Sequence, residues 1–106
     1  MATHLLTAAH AGGAIRAAPG DELIISLAEQ PSTGYRWTVE LVDDEQLRLR
    51  DTFYAGGGRP GAAGVRQLTF VVAQPGLSEL RLKHWRPWSG ESSVVARFAV
   101  TVEAQP

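Results

Sequence analysis

The chain has 106 residues, of which 10 are Lys or Arg and 11 are Asp or Glu, so its formal net charge is −1 at pH 7. This length predicts a single domain over residues 1–106 with one hydrophobic core. The balanced charge argues against a nucleic-acid or membrane-surface partner, and the absence of cysteine excludes disulfides, thiolate metal ligands and a cysteine nucleophile.

Period-two alternation of apolar and polar residues predicts β-strands along most of the chain. A first run, Ala2 to Ala8, is followed by a brief one at Ala14 to Arg16 and by a turn at Pro19-Gly20. Six longer runs follow, at Glu22 to Ala28, Arg36 to Val42, Leu47 to Tyr54, Val65 to Val72, Leu77 to Trp85 and Val94 to Val102. In the third of these, Asp51 is the exception because it falls on the predicted apolar face.

Seven to eight short strands with regularly spaced turns and no convincing helix predict an all-β fold, either a sandwich or a small barrel. We label the seven main strands A to G in chain order. Because successive antiparallel strands reverse direction, alternate loops share one end of the molecule. These are the B–C loop (Glu29 to Tyr35), the D–E loop (Ala55 to Gly64) and the F–G loop (Arg86 to Ser93).

The B–C loop contains the sequence Gln30-Pro31-Ser32-Thr33-Gly34-Tyr35. Pro31 fixes its own φ and Gly34 permits a positive φ, so the loop is expected to be stiff. The two residues between them are small and polar. Such a loop fits into a cleft of a partner, although an ordinary surface turn has the same composition.

The D–E loop is rich in glycine, with Gly56-Gly57-Gly58 followed by Gly61-Ala62-Ala63-Gly64. It lacks the Lys-Ser/Thr ending of a phosphate-binding loop and leads into a strand, so a nucleotide site is not predicted. Two interpretations remain. The loop is either an extended backbone that lies against the backbone of a partner, or a flexible hairpin connection.

The F–G loop begins with Arg86-Pro87-Trp88, directly after His84-Trp85. Trp and Arg are enriched among binding hot spots. The alternation places Trp85 on the opposite face from His84. Trp88 lies in the loop proper, either as an exposed anchor or folded back over the end of the sandwich.

No catalytic, metal or cofactor site is predicted. The histidines, His4, His10 and His84, are scattered without the spacing of metal ligands. No serine lies in a nucleophile-elbow pattern, and the run Asp43-Asp44-Glu45 is typical of a solvated surface. The sequence therefore does not predict an enzyme.

Taken together and in order, the three loops resemble those of the chagasin family of cysteine-peptidase inhibitors. That family carries Asn-Pro-Thr-Thr-Gly-Tyr/Phe, Gly-x-Gly-Gly and Arg-Pro-Trp/Phe in these loops. The corresponding segments here are Gln30 to Tyr35, Gly61 to Gly64 and Arg86 to Trp88, of which the last matches fully. Gln30, Ser32 and Ala63 depart from the pattern, and alanine at position 63 would be strained if that position required a positive φ.

The resemblance implies an immunoglobulin-like antiparallel β-sandwich that inhibits papain-like cysteine peptidases tightly and reversibly and is a monomer when free. The B–C loop would enter the active-site cleft, with Thr33 near the catalytic Cys and His of the peptidase. The D–E loop would follow the non-primed side of the cleft. Trp88 would pack on the primed side, while Arg86 would bond the partner or brace the loop. The implied peptidase-binding residues are Gln30, Pro31, Ser32, Thr33, Gly34, Tyr35, Gly61, Ala62, Ala63, Gly64, Arg86, Pro87 and Trp88.

Two alternatives remain open. One is a non-inhibitory immunoglobulin-like binding module that uses Trp85, Trp88 and Tyr54 for a glycan or a protein partner, and the other is a purely structural domain. The sequence shows neither a secretion leader nor an apolar run of membrane-spanning length. The chain is expected in the cytoplasm if the sequence is complete and in the periplasm or outside the cell if a signal peptide was removed, so no compartment is assigned.

Overall fold

The computed structural model describes residues 1–59 and 63–106. Within these ranges, 3₁₀ turns of three residues lie at Ala8–His10, Pro31–Thr33, Pro87–Ser89 and Glu91–Ser93. No helical segment of the described chain has the length and apolar character needed to cross a membrane. The same residues form eight strands: β1 (Thr3–Leu6), β2 (Ala14–Ala17), β3 (Glu22–Glu29), β4 (Arg36–Leu41), β5 (Leu47–Ala55), β6 (Gly64–Val72), β7 (Gly76–Trp85) and β8 (Ala96–Ala104).

The strands form two four-stranded sheets, ordered β1-β3-β6-β5 and β2-β8-β7-β4. The short strands β1 and β2 pair in parallel with β3 and β8, whereas the other neighbours are antiparallel. Strands β3 to β8 are the predicted strands B to G, and the brief pairing predicted at Ala14 to Arg16 is β2. The predicted all-β sandwich of seven to eight strands is confirmed.

The period-two pattern directs the apolar residues of both sheets into one core. Phe70 of the first sheet and Phe98 of the second are fully buried in it. The other large side chains that are fully buried are Leu23, Ile25, Leu47, Leu68, Leu80, Leu82, Val72, Val100 and Val102. Burial of each such side chain stabilises the fold by about 1.5–3 kcal/mol. This core therefore fixes the two sheets, and the loops at their ends, relative to one another.

A buried carboxylate ties the beginning of the chain to the first sheet. Asp21 accepts hydrogen bonds from the backbone nitrogens of Ala2 at 2.8 Å and Ala18 at 3.0 Å, and it lies 2.9 Å from Nε2 of His4. The hydrogen bonds from His4 and from the two backbone groups lower the pKa of Asp21 to about 2. The carboxylate thus stays charged and holds β1 and the β2–β3 turn together at ordinary pH.

Two of the predicted strands differ from the structure in detail. In β5 the register shifts between Leu49 and Asp51, so Arg50 is an additional residue and Asp51 pairs with Thr69 on the outer face. The bulge reverses the inside–outside alternation after it, which is why Asp51 does not enter the core. The last strand begins at Ala96 and not at Val94, because Glu91–Ser93 forms a 3₁₀ turn and the Val94 nitrogen donates to Glu91 O at 3.1 Å.

Candidate functional site

The B–C, D–E and F–G loops lie at the same end of the sandwich, as predicted. Glu29, the last residue of β3, pairs with Gly64, the first residue of β6, so the B–C and D–E loops adjoin. Arg36, the first residue of β4, pairs with Trp85, the last residue of β7, so the B–C and F–G loops also adjoin. The B–C loop crosses from one sheet to the other between its two neighbours.

The B–C loop folds on itself as a compact turn. Thr33 donates from its backbone nitrogen and from Oγ1 to the carbonyl oxygen of Gln30, at 3.2 and 2.8 Å. The same Oγ1 accepts from the Tyr35 nitrogen at 3.3 Å. Gly34 follows with φ of 80°, a conformation that costs other residues energy. Ser32 and Thr33 are exposed at the tip, so the loop presents a narrow polar edge.

The F–G loop braces the B–C loop through Arg86. Its Nε donates to the carbonyl oxygen of Thr33 at 3.1 Å, and its guanidinium carbon lies 4.6 Å from the centroid of the Tyr35 ring. One side chain therefore holds the backbone and an aromatic ring of the neighbouring loop. Of the two roles that the family resemblance implied for Arg86, the structure contains the bracing contact.

Trp88 lies against the B–C loop while most of its surface remains open. The side chain is 67% exposed. A Cβ atom added to Gly34 would lie 2.7 Å from Cη2 and Cζ2 of the Trp88 ring. The indole therefore packs edge-on against Gly34, and the absence of a side chain there makes this approach possible. Trp88 is an exposed aromatic group that the B–C loop supports.

Internal hydrogen bonds also order the F–G loop. The Ser93 hydroxyl lies 3.0 Å from the Arg86 nitrogen, 3.0 Å from the Arg86 carbonyl oxygen and 2.7 Å from the Gly90 carbonyl oxygen. Pro87 begins the 3₁₀ turn that carries Trp88, and its ring fixes φ at that point. The loop is thus closed at its base before any partner binds.

A buried glutamate fixes the root of the B–C loop. Glu29, predicted as the first loop residue, is instead the last residue of β3 and is 2% exposed. Its carboxylate accepts from the Trp37 nitrogen at 2.7 Å and from Nε of Arg66 at 2.8 Å. The Trp37 indole donates to the Ala28 carbonyl oxygen at 3.0 Å. These bonds join the two sheets where the loop leaves β3 and enters β4.

His84 fills the space behind the same loop. Its ring stacks on Trp37 at 4.7 Å and meets the edge of Tyr35 at 5.7 Å. Burial lowers the pKa of His84 below 6.5, against the opposing effects of the Glu29 charge and a hydrogen bond to the Tyr35 backbone. The neutral ring is therefore favoured, as stacking in this partly apolar position requires.

An open pocket of about 330 Å³ lies behind the B–C loop. Its walls include Gln30, Thr33, Ala63 and His84, and thus contain residues of two of the loops. The buried Nε2 of His84 has no hydrogen-bond partner among the described residues. The pocket belongs to the loop end of the molecule.

Only part of the D–E loop is described. Gly61 and Ala62 of the predicted site lie outside the described residues. Ala63 is exposed and directly precedes β6. Gly64 is buried in β6 beneath the Tyr54 ring, where a Cβ would overlap with the ring and with the Ala55 carbonyl oxygen. The loop is therefore anchored by Gly64, while Gly58 takes a positive φ of 85°.

The aromatic platform of the alternative interpretation is not assembled. Trp85 lies under Lys83, whose Nζ is 3.6 Å from its ring centroid, and its indole donates to Thr38 at 2.9 Å. Tyr54 instead packs beside Gly64 in the other sheet. Neither ring is grouped with Trp88. Among the described residues, no group of three His, Asp or Glu side chains is placed to hold a metal ion.

Comparison with known families identifies the chain. The model of the family described as chagasin family peptidase inhibitor I42 matches residues 16–102. The chain belongs to the chagasin family of peptidase inhibitors. Membership in this family makes it an inhibitor and not an enzyme, as the sequence predicted.

Individual relatives agree with this assignment. The chain is 28% identical to chagasin of Trypanosoma cruzi over 96% of its own length and 98% of the relative. It is 29% identical to amoebiasin-2 of Entamoeba histolytica over 82% of its length and 73% of the relative.

Three solved structures share the fold. The cysteine protease inhibitor EhICP2 from Entamoeba histolytica superposes with a TM-score of 0.90 at 23% identity, covering 99% of this chain and 97% of the other. The solution structure of amebosin superposes with a TM-score of 0.79 at 27% identity, covering 96% of this chain and 98% of the other. PbICP-C, solved in complex with falcipain-2, superposes with a TM-score of 0.68 at 15% identity, covering 97% of this chain and 89% of the other.

The residues that support the chagasin-family loops were harder to predict than the loops themselves. Glu29, Trp37, Arg66 and His84 hold the B–C loop in place but were not predicted as site residues. A glutamate at the end of an apolar strand was the one available signal for Glu29, since a buried carboxylate requires partners. Nothing in the local sequence indicates that His84 packs between two aromatic rings.

Proposed function

We propose that the chain inhibits papain-like cysteine peptidases by filling the active-site cleft with its three loops. The observation that carries the proposal is the assembly of the B–C and F–G loops into one braced edge, in which Arg86 holds Thr33 and Tyr35 and Trp88 rests on Gly34. Because these contacts form within the free molecule, little conformational freedom remains to be lost on binding.

The B–C loop is suited to block a cleft without being cleaved. Papain-like peptidases bind their substrates as extended chains, whereas Pro31–Thr33 forms a 3₁₀ turn that Gly34 continues with a positive φ. The Thr33 hydroxyl and nitrogen are bonded within the loop. A peptide bond held in this way does not offer its carbonyl group to the catalytic cysteine, so the loop occupies the site as an obstacle.

The other two loops supply contact on either side of the cleft. Trp88 offers a large ring on a closed loop, which is the kind of residue that dominates binding energy. On the opposite side, the exposed Ala63 of the D–E loop has little side-chain bulk and allows backbone contact with the peptidase. The complex of the structural neighbour PbICP-C with falcipain-2 is consistent with this type of partner.

Substitution at the tip of the B–C loop tests the proposal. Thr33→Trp places an indole on the edge that would enter the cleft, and we expect it to abolish inhibition of papain at concentrations where the parent protein inhibits fully. Gln74→Trp adds the same ring to an exposed turn at the other end of the sandwich and serves as the matched control. Equal inhibition by the two variants would show that the B–C loop stays outside the cleft.

A further inference from the structure

The charged side chains outside ion pairs are unevenly distributed over the molecule. Most arginines of the described chain bond a carboxylate, as in Arg66–Glu29 and Arg97–Glu40. Four arginines take part in no ion pair among the described residues: Arg36, Arg48, Arg59 and Arg86. Three of the four lie at the loop end, since Arg36 follows the B–C loop, Arg59 lies in the D–E loop and Arg86 begins the F–G loop.

Carboxylates near the loop end do not offset these arginines, because cations already neutralise them. Glu29 is bonded to Arg66. Glu91 of the F–G loop bonds both Lys83, at 2.9 Å, and Arg97, at 2.6 Å. The loop end of the described structure therefore carries a surplus of positive charge, although the formal net charge of the whole chain is −1.

The compensating negative charge lies at the other end. Asp43, Asp44 and Glu45 are exposed in the turn between β4 and β5 and form no ion pair with the described residues. This turn follows the end of β4 that is remote from the B–C loop. Arg48, the fourth unpaired arginine, lies near this turn at the start of β5 and offsets one of its charges. The nearly neutral protein is thus polarised, with its cationic end toward the proposed partner.

From this separation we infer that the loop end is a cationic docking surface, and that the peptidase it fits carries surplus carboxylates along both rims of its cleft. The inference rests on the proposed function and adds the chemistry of the partner to it. Arg36 and Arg59 are both exposed. Arg36 lies in β4 of one sheet and Arg59 in the loop between β5 and β6 of the other, so they flank the B–C loop on its two sides. Guanidinium groups bind carboxylates in bidentate fashion, and their field accelerates encounter with a negative surface.

Association rates at different ionic strengths test the inference. The probes are two papain-like peptidases of known structure, one with an acidic cleft rim and one with a basic rim. Rate constants are measured from progress curves at about 0.01 M and about 1 M ionic strength, where the screening length is about 30 Å and about 3 Å. The variants are Arg36→Gln and Arg59→Gln. Arg48→Gln, which removes an equally unpaired and exposed charge from β5, is the control.

We expect the parent protein to associate faster with the acidic-rim peptidase, and this advantage to disappear at high ionic strength. Each of the two loop-end variants should lower the association rate constant about threefold at low ionic strength and change the dissociation rate constant little. Arg48→Gln should match the parent. The inference would be overturned if the protein inhibited the peptidases but all three variants, Arg36→Gln, Arg59→Gln and Arg48→Gln, showed the same association rates and the same salt dependence. A parent protein that inhibits neither peptidase would overturn the proposed function as well.

Discussion

Replacement of Gly34 by alanine tests the contact between the two braced loops. Gly34 has φ of 80°, and alanine in this left-handed region costs about 1 to 2 kcal/mol of stability. The added Cβ would also lie 2.7 Å from two atoms of the Trp88 ring, well inside the ordinary carbon–carbon contact distance of about 3.5–4.0 Å. Because the backbone of the B–C loop is held by Arg86, the indole must move.

The two costs of Gly34→Ala affect different measurements. The φ penalty is present in the free and the bound inhibitor, so it lowers the free energy of unfolding and leaves the inhibition constant unchanged. Displacement of Trp88 weakens binding in addition, because it moves the exposed ring from the position in which it would meet the partner. We expect the inhibition constant for papain to rise at least tenfold, which corresponds to about 1.4 kcal/mol of the binding energy.

Gly12→Ala is the matched control for this experiment. Gly12 has φ of 81°, and nothing lies within 4 Å of the Cβ position. Urea unfolding should show a similar loss of stability in both alanine variants, while a fluorogenic peptide assay should show weakened inhibition for Gly34→Ala alone. If Gly34→Ala inhibited papain as tightly as Gly12→Ala, the packing of Trp88 on Gly34 would have no part in inhibition.

Three further predictions concern Trp88, Glu29 and His84. Trp88→Ala should weaken binding to papain by about 2 kcal/mol or more. The control is Leu77→Ala, which removes an exposed side chain at the far end of the sandwich. If the two variants had the same inhibition constant, Trp88 would have no part in the mechanism. Glu29→Ala should lower the free energy of unfolding in urea by about 3 kcal/mol, because Arg66 loses its buried partner; a loss no larger than that of the exposed control Asp51→Ala would contradict this. The pKa of His84 is lowered on folding, so the unfolded chain binds its proton first as pH falls below 6.5, and stability should decrease from there until the folded pKa is passed. The His84→Phe variant should show a weaker dependence of the free energy of unfolding on pH, measured by urea unfolding from neutral to acidic pH. Parallel pH profiles for the variant and the parent would show that His84 does not cause this dependence.

Local pattern was sufficient to predict most of the fold. Alternation of apolar and polar residues located β3 to β8 to within a few residues, because most of these strands direct one face into the core. In β5 only Leu47 is buried, and Leu49 and Phe53 of the predicted apolar face are 45% and 55% exposed. The prediction for Asp51 was wrong because a bulge at Arg50 depends on pairing with β6, which the β5 sequence does not encode by itself. β8 begins later than the predicted Val94 for a similar reason, because the hydrogen bonds of Ser93 close a turn before the strand starts.

The loops of the site could be predicted, but their mutual contacts could not. Proline, glycine and tryptophan mark the B–C and F–G loops in the sequence, and antiparallel connectivity places them at one end. The bond between Arg86 and Thr33 joins residues 53 positions apart, and the contact of Trp88 with Gly34 depends on where two turns direct their residues. Such long-range contacts arise from packing of the sheets and leave no local pattern.

Titration of papain with the purified protein shows whether the loop end blocks the cleft of a peptidase. Hydrolysis of a fluorogenic peptide is followed as the protein is added, and the inhibitor is then recovered from the complex and weighed by mass spectrometry. We expect papain to lose its activity at equimolar protein and to regain it on dissociation, and we expect the inhibitor to be recovered uncleaved. Full activity of papain and of a cathepsin-L-like enzyme at micromolar protein, or an inhibitor cleaved within the B–C loop, would contradict this expectation.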